Sequence, residues 1–175
     1  MTLVNSIDKI VSWLTENVCS KITLKLPDDY RNDTGYDVVM VNPAAFPLYV
    51  PGKDRLPPNV AAPIPSVCVQ LMEGSDELIQ KKRQLQIRLC LACWNPGQHG
   101  GEIFNPRENA KATGGYSYYV NTGEAAKTYS RNMDGWRDCY NLADLVLREI
   151  ETAEYIAGHR LVKEQGMKFG PFTED

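Results

Sequence analysis

Residues 83–94 read Arg83-Gln84-Leu85-Gln86-Ile87-Arg88-Leu89-Cys90-Leu91-Ala92-Cys93-Trp94. Successive side chains of an extended chain point to opposite faces. Leu85, Ile87, Leu89, Leu91 and Cys93 therefore share one face, and Gln84, Gln86, Arg88, Cys90 and Ala92 share the other. One apolar face and one mixed face suit an antiparallel sheet covered by helices on one side. Upstream, Ser66 to Met72 is short and rich in Val, which predicts a second strand. Between the two, Glu73-Gly74-Ser75-Asp76-Glu77 and Lys81-Lys82-Arg83 read as a hairpin loop with solvated charges.

The helices that would cover this sheet lie at either end of the chain. Ile7, Ile10, Val11, Leu14 and Val18 recur at helical spacing, with Asp8, Lys9, Ser12, Glu16 and Asn17 off the stripe. Thr2, Asn5 and Ser6 are all suitable N-caps. Downstream of Asp134-Gly135, the residues Cys139, Leu142, Ala143, Val146, Ile150, Ala153 and Ala157 form a second stripe. Asp144 and Arg148 are set for an i, i+4 ion pair, Gly158 is a natural C-cap, and His159 suits a helix C-terminus. A last strand is predicted from His159 to Phe169.

Two stretches break these patterns. Eight of the eleven prolines fall within residues 27–65, which excludes long central strands there. Short strands are predicted at Ile22–Leu26, Tyr36–Val41 and Phe46–Val50, then an extended arm over residues 51–65. Residues 95–130 hold six of the thirteen glycines plus Pro96 and Pro106, with one strand-like piece at Tyr116–Val120. An insertion of that length in a small domain tends to be functional. The predicted class is a single α+β domain over residues 1–175: two helices on one face of a mostly antiparallel sheet, with a long inserted loop at 95–130.

Composition narrows function. The chain has 175 residues, 43% hydrophobic and 23% charged, with a net charge of −3. That is enough chain for a true core and a poor charge balance for a protein that grips nucleic acid. No apolar run approaches the roughly 20 residues needed to span a bilayer. Met1 to Lys9 lacks the pattern of a signal peptide, so the expected compartment is a cytosol, and the five cysteines are expected to be reduced.

Catalytic signatures are sparse. Cys90-Leu91-Ala92-Cys93 is formally a CxxC, yet residues three apart in a strand face opposite sides and cannot share a metal or a disulfide. His99 and Glu102 sit in a glycine-rich turn. The chain has no Walker A loop, G-x-G-x-x-G, H-E-x-x-H or G-x-S-x-G. Aromatics are more suggestive: Tyr116, Tyr118, Tyr119 and Tyr129 lie in the insertion, bracketed by Trp94 and Trp136. Tyr, Trp and Arg are the residues that dominate protein interfaces.

Five short motifs, in order, carry a resemblance. They are Pro65-Ser66-Val67-Cys68-Val69-Gln70-Leu71-Met72-Glu73-Gly74, Trp94-Asn95-Pro96-Gly97-Gln98-His99-Gly100, Gly135-Trp136-Arg137-Asp138-Cys139-Tyr140-Asn141-Leu142-Ala143-Asp144, Gly158-His159-Arg160-Leu161 and Lys168-Phe169-Gly170-Pro171-Phe172. Over residues 60–172 the chain resembles small tail-associated proteins of tailed bacteriophages and prophages, closest to the tail terminator, or tail completion, family. The resemblance implies an α+β subunit that forms a hexameric ring. Such a ring caps the finished tail tube, ends its polymerisation and presents a docking surface to the head connector.

It implies a virion protein assembled in the host cytoplasm, not an enzyme, with no cofactor and no metal. Its partners would be itself, the tube protein and the connector or head-closure protein, with DNA passing through the lumen without sequence specificity and no membrane. On that reading the interface residues are Trp94, His99, Phe104, Arg107, Tyr116, Tyr118 and Tyr119 in and beside the insertion, and Tyr49, Arg55 and Leu56 at the proline arm. Lys81, Lys82 and Arg83 form the best basic cluster for facing DNA. Two other readings stay open: a different neck or tail component, such as a head-closure or tail-tube-related protein, and a small cytosolic enzyme.

Overall fold

Of the three polar residues able to open the first helix, Thr2 does so. Its Oγ1 accepts the Asn5 N–H at 3.2 Å, satisfying one of the donors that a helix start leaves unpaired. The computed structural model describes residues 2–27, 39–77, 79, 82–94, 135–162, 166 and 170, with residues 102–104 and 118–120 described as backbone. Helix α1 runs Leu3–Asn17 and ends in a 3-10 turn at Cys19–Lys21. The Asn42 side-chain amide donates to the carbonyls of Cys19 (3.0 Å) and Ile22 (2.8 Å), fixing the chain's exit from the helix.

The sheet follows. Strand β1 (Leu24–Lys25) pairs antiparallel with β2 (Met40–Val41). Strand β3 (Ala44–Pro47) runs parallel to β4 (Ser66–Glu77), which is antiparallel to β5 (Lys82–Ala92). The β3–β4 pair departs from the antiparallel expectation. Parallel neighbours need a crossover of a dozen or more residues, and the proline arm is that crossover. Strand β3 also lies earlier than the predicted Phe46–Val50, because Leu48 turns the chain with φ at 65°.

Helix α2 (Gly135–Thr152) completes the layer, and at 18 residues it is about 27 Å long. α1 packs on β3 and β4, and α2 packs on β5. Ile7, Leu14 and Val18 from α1 and its exit meet Leu142, Leu145 and Val146 from α2 over Val67 and Val69 of β4. Ile87, Leu89, Leu91 and Cys93 close the cluster from β5. These are the residues that the alternation of 83–94 assigns to one face. Each fully buried Val or Leu contributes about 1.5–3 kcal/mol. The fold is α+β, with both helices on one side of the three-stranded sheet.

Several boundaries move. Strand β4 reaches Glu77 rather than stopping at Met72, and β5 begins at Lys82, so the predicted loop of charges is mostly ladder. A bulge at Met72 explains how: Leu71 opposes Ile87, yet Glu73 opposes Gln86, so one residue is left over. The extra residue switches the alternation of β4. Asp76 then faces Arg83 and Glu77 faces Lys82, and opposite charges across a ladder stabilise it.

Helix α2 stops at Thr152, whose hydroxyl donates back to the Arg148 and Glu149 carbonyls, rather than at Gly158. Ala157 (φ 55°) and Gly158 (φ 82°) instead form the two-residue turn of a hairpin between β8 (Tyr155–Ile156) and β9 (His159–Arg160). His159 is a strand residue, not a helix cap. Asp144 and Arg148 form no ion pair; α2 is tied by Glu149, whose Oε2 lies 2.7 Å from Lys21 Nζ. Most of the strand predicted over residues 161–169, and of that over 36–39, lies outside the described residues or outside the ladders. Among its described residues the insertion holds one strand more than expected: β6 (Glu102–Phe104) pairs antiparallel with β7 (Tyr118–Val120).

Candidate functional site

Three surfaces stand out, and each follows from a local irregularity of the chain. The first is the end of β3. With Leu48 in the left-handed region, a conformation costly for a branched residue, its N–H still donates to the Val69 carbonyl at 2.8 Å. Its carbonyl accepts from the Gln70 amide at 3.3 Å. The backbone is held while Leu48, Tyr49 and Val50 stand out in solvent, Tyr49 at 71% exposure. Arg55 is exposed on the 3-10 turn Lys53–Arg55, and Leu56 after it is half-buried. Tyr49, Arg55 and Leu56 thus sit on one crossover.

The second surface is the far half of the β4–β5 hairpin. β3 covers β4 only from Ser66 to Val69. Beyond it, residues 72–77 and 82–84 are exposed, forming a two-stranded ribbon that outruns the sheet's third strand. Arg83 is ion-paired with Asp76, its Nε donating to Oδ2 at 3.0 Å, and Lys82 stands opposite Glu77. Both described members of the basic cluster thus have an acidic residue across the ladder; Lys81 lies outside the described residues.

The third surface is the base of the insertion. Trp94 is half-buried at the end of β5. Phe104 is the register partner of Tyr118, and Ile103 of Tyr119, on the β6–β7 ladder. His99, Arg107 and Tyr116 lie outside the described residues. The structure therefore joins Phe104, Tyr118 and Tyr119 on one ladder.

Sequence reasoning missed a thiol pair at this base. Cys93, just past β5, and Cys139, on α2, are 46 positions apart in sequence and hydrogen-bonded to one another in the fold. The Cys139 sulfur also lies 3.7 Å from the Leu91 carbonyl. The Cys93 hydrogen bond favours the Cys139 thiolate and brings its pKa down to about 7, while the same contact and burial push Cys93 far up. Cys90 is on the opposite face, as expected of the CxxC; its thiol donates to Gln70 Oε1 at 3.4 Å, and it pairs in register with buried Cys68. Burial pushes Cys19 up to about 11. All five cysteines are free thiols.

Iodoacetamide is expected to label Cys139 first, and Cys19 and Cys93 far more slowly, because the thiolate is the nucleophile. The Cys139 rate should be half-maximal near pH 7 and rise above it. Cys93→Ala should move that midpoint up toward the ordinary thiol value of about 8.5. A mass-spectrometric time course across pH checks this; a midpoint unmoved in Cys93→Ala would mean that the pair does not set it.

Among the described residues no cluster of three or more His, Cys, Asp or Glu is placed to hold a metal ion, and no helix is long and apolar enough to cross a membrane. Comparison with protein-family models, curated proteins and solved structures gives no match.

Proposed function

We propose that this chain is the subunit of a virion ring, hexameric in its finished form, that caps the phage tail tube, ends tube polymerisation and offers the head connector its docking surface. The reading rests on the order of the short motifs over residues 60–172. The structural observation that carries it is the β4–β5 ribbon, which leaves the three-stranded part of the sheet with exposed side chains on both strands. A ring of identical subunits needs two different, complementary patches on each copy, and a protruding ribbon is suited to supplying one. The exposed Leu48-Tyr49-Val50 step and the insertion ladder are the other contact surfaces, toward a neighbouring copy or the tube. Function on this account is assembly rather than catalysis. DNA would pass through the lumen without being read.

The test is the mass in solution by light scattering, at several concentrations, with and without tail tubes. The expected result is a particle of six 19.7 kDa chains, formed alone or on meeting tubes. A single chain at every concentration that ignores tubes would overturn the reading.

A further inference from the structure

The two strands of the exposed ribbon carry opposite charge. β4, Ser66–Glu77, contains Glu73, Asp76 and Glu77 and no basic residue. β5, Lys82–Ala92, contains Lys82, Arg83 and Arg88 and no acidic residue. Asp76 and Arg83 neutralise each other within the hairpin. Glu73, Glu77, Lys82 and Arg88 are all exposed. The Met72 bulge sets their direction. Glu73 opposes Gln86 and Glu77 opposes Lys82, and Arg88 shares that parity, so all four project from the face turned away from the helices.

The backbone edges match this division. Past Val69, where β3 ends, the outer edge of β4 has no ladder partner among the described residues; nor does the outer edge of β5. Unpaired edges are templates for another strand. Two β4 edges would bring acid against acid, and two β5 edges base against base, which is unfavourable across a ladder. Only the β4 edge of one copy against the β5 edge of the next brings opposite charges together. That contact is head-to-tail, the type that generates rings. The open part of β4, residues 70–77, lies beside residues 82–88 of β5 in the same hairpin. The two edges thus sit at one height along the ribbon, and joining copies edge to edge needs no slip along the strands.

We propose that the ring is held by edge-to-edge pairing of this ribbon with a second copy of the chain: the acidic β4 edge, marked by Glu73 and Glu77, against the neighbour's basic β5 edge, marked by Lys82 and Arg88. This rests on the ring reading above and names its interface.

Two variants test it, E73K/E77K and K82E/R88E, together with the fourfold swap E73K/E77K/K82E/R88E. Each double variant gives its own copies two like-charged edges, and its apparent dissociation constant should rise at least tenfold at low salt. An equimolar mixture of the two restores an opposite charge at every junction, so particles of ring mass should return with alternating subunits. The fourfold swap should assemble by itself and not mix with wild type. Wild-type assembly should weaken as salt rises, since exposed charges are screened beyond about 10 Å at roughly 0.1 M. Return of rings on mixing also shows that both double variants are folded.

Double variants that assemble like wild type, or a mixture that stays dispersed while the wild type forms rings, would overturn the edge pairing and leave the ring reading standing. A wild type that is a single chain with and without tubes would overturn both.

Discussion

Leu14→Ala and Leu142→Ala are each expected to destabilise the protein by about 3–4 kcal/mol, within the range for truncating a fully buried leucine. Leu14 is 1% exposed on α1 and Leu142 is 0% exposed on α2, and both face the sheet in one cluster with Val67 and Val69. The loss combines the transfer of the missing methyl groups with the cavity left between helix and sheet. Domains of this kind are stable by only about 5–15 kcal/mol. The double substitution, at no more than about 6–8 kcal/mol, would remove all of that at the lower end of the range and about half of it at the upper end. Because the two sites share sheet residues, their costs should add to less than the sum, the cavities having neighbours in common.

Leu85→Ala is the control. Leu85 is half-buried on the ribbon, where its Cδ2 lies over Gly74, outside the core cluster. Its loss should cost under about 1 kcal/mol. Urea unfolding with an unchanged slope measures all three. A Leu142→Ala cost no larger than that of Leu85→Ala would mean that α2 does not seal the sheet.

The residues of this core were legible because burial leaves a period. Leu89, Leu91 and Ile87 alternate, and Leu14 and Leu142 sit in stripes, so the sheet face and the two helix faces follow from spacing alone. The far half of the hairpin was not legible, because it has no apolar period to read. What holds Glu77 against Lys82 and Asp76 against Arg83 is a register that exists only once Met72 bulges. The end of α2 escapes the pattern for a related reason. Ala153 and Ala157 continue the stripe, but Ala157 adopts φ 55° in a hairpin turn, a backbone conformation that periodicity does not report. Cys93 and Cys139 show the third kind of blindness: their contact is long-range, and nothing in either neighbourhood signals the other. The interface candidates follow the same rule. Tyr49 was singled out by residue type, whereas the strained Leu48 that presents it is a backbone feature without a sequence sign.

Deleting residues 101–121 is expected to abolish assembly while leaving the core intact. Among the described residues, strands β6 and β7 pair only with each other, and the described members of the buried cluster lie outside residues 94–138. The deletion therefore removes a local ladder and shortens the link between β5 and α2. Halving the length of a link changes its closure cost by only about 0.6 kcal/mol, so unfolding free energy should shift by less than about 1 kcal/mol. Assembly should respond differently, because the deletion takes away Phe104, Arg107, Tyr116, Tyr118 and Tyr119 together, the aromatic and Arg types that carry interface energy. If the proposed ring reading holds, light scattering should report a single chain for the deleted protein and a ring for the full one, and tubes grown with the deleted protein should be uncapped and overlong. Rings that form but fail to stop tubes would assign the insertion to the tube side of the particle, leaving ring closure to the ribbon edges. Rings that form and cap tubes normally would remove the insertion from the interface altogether.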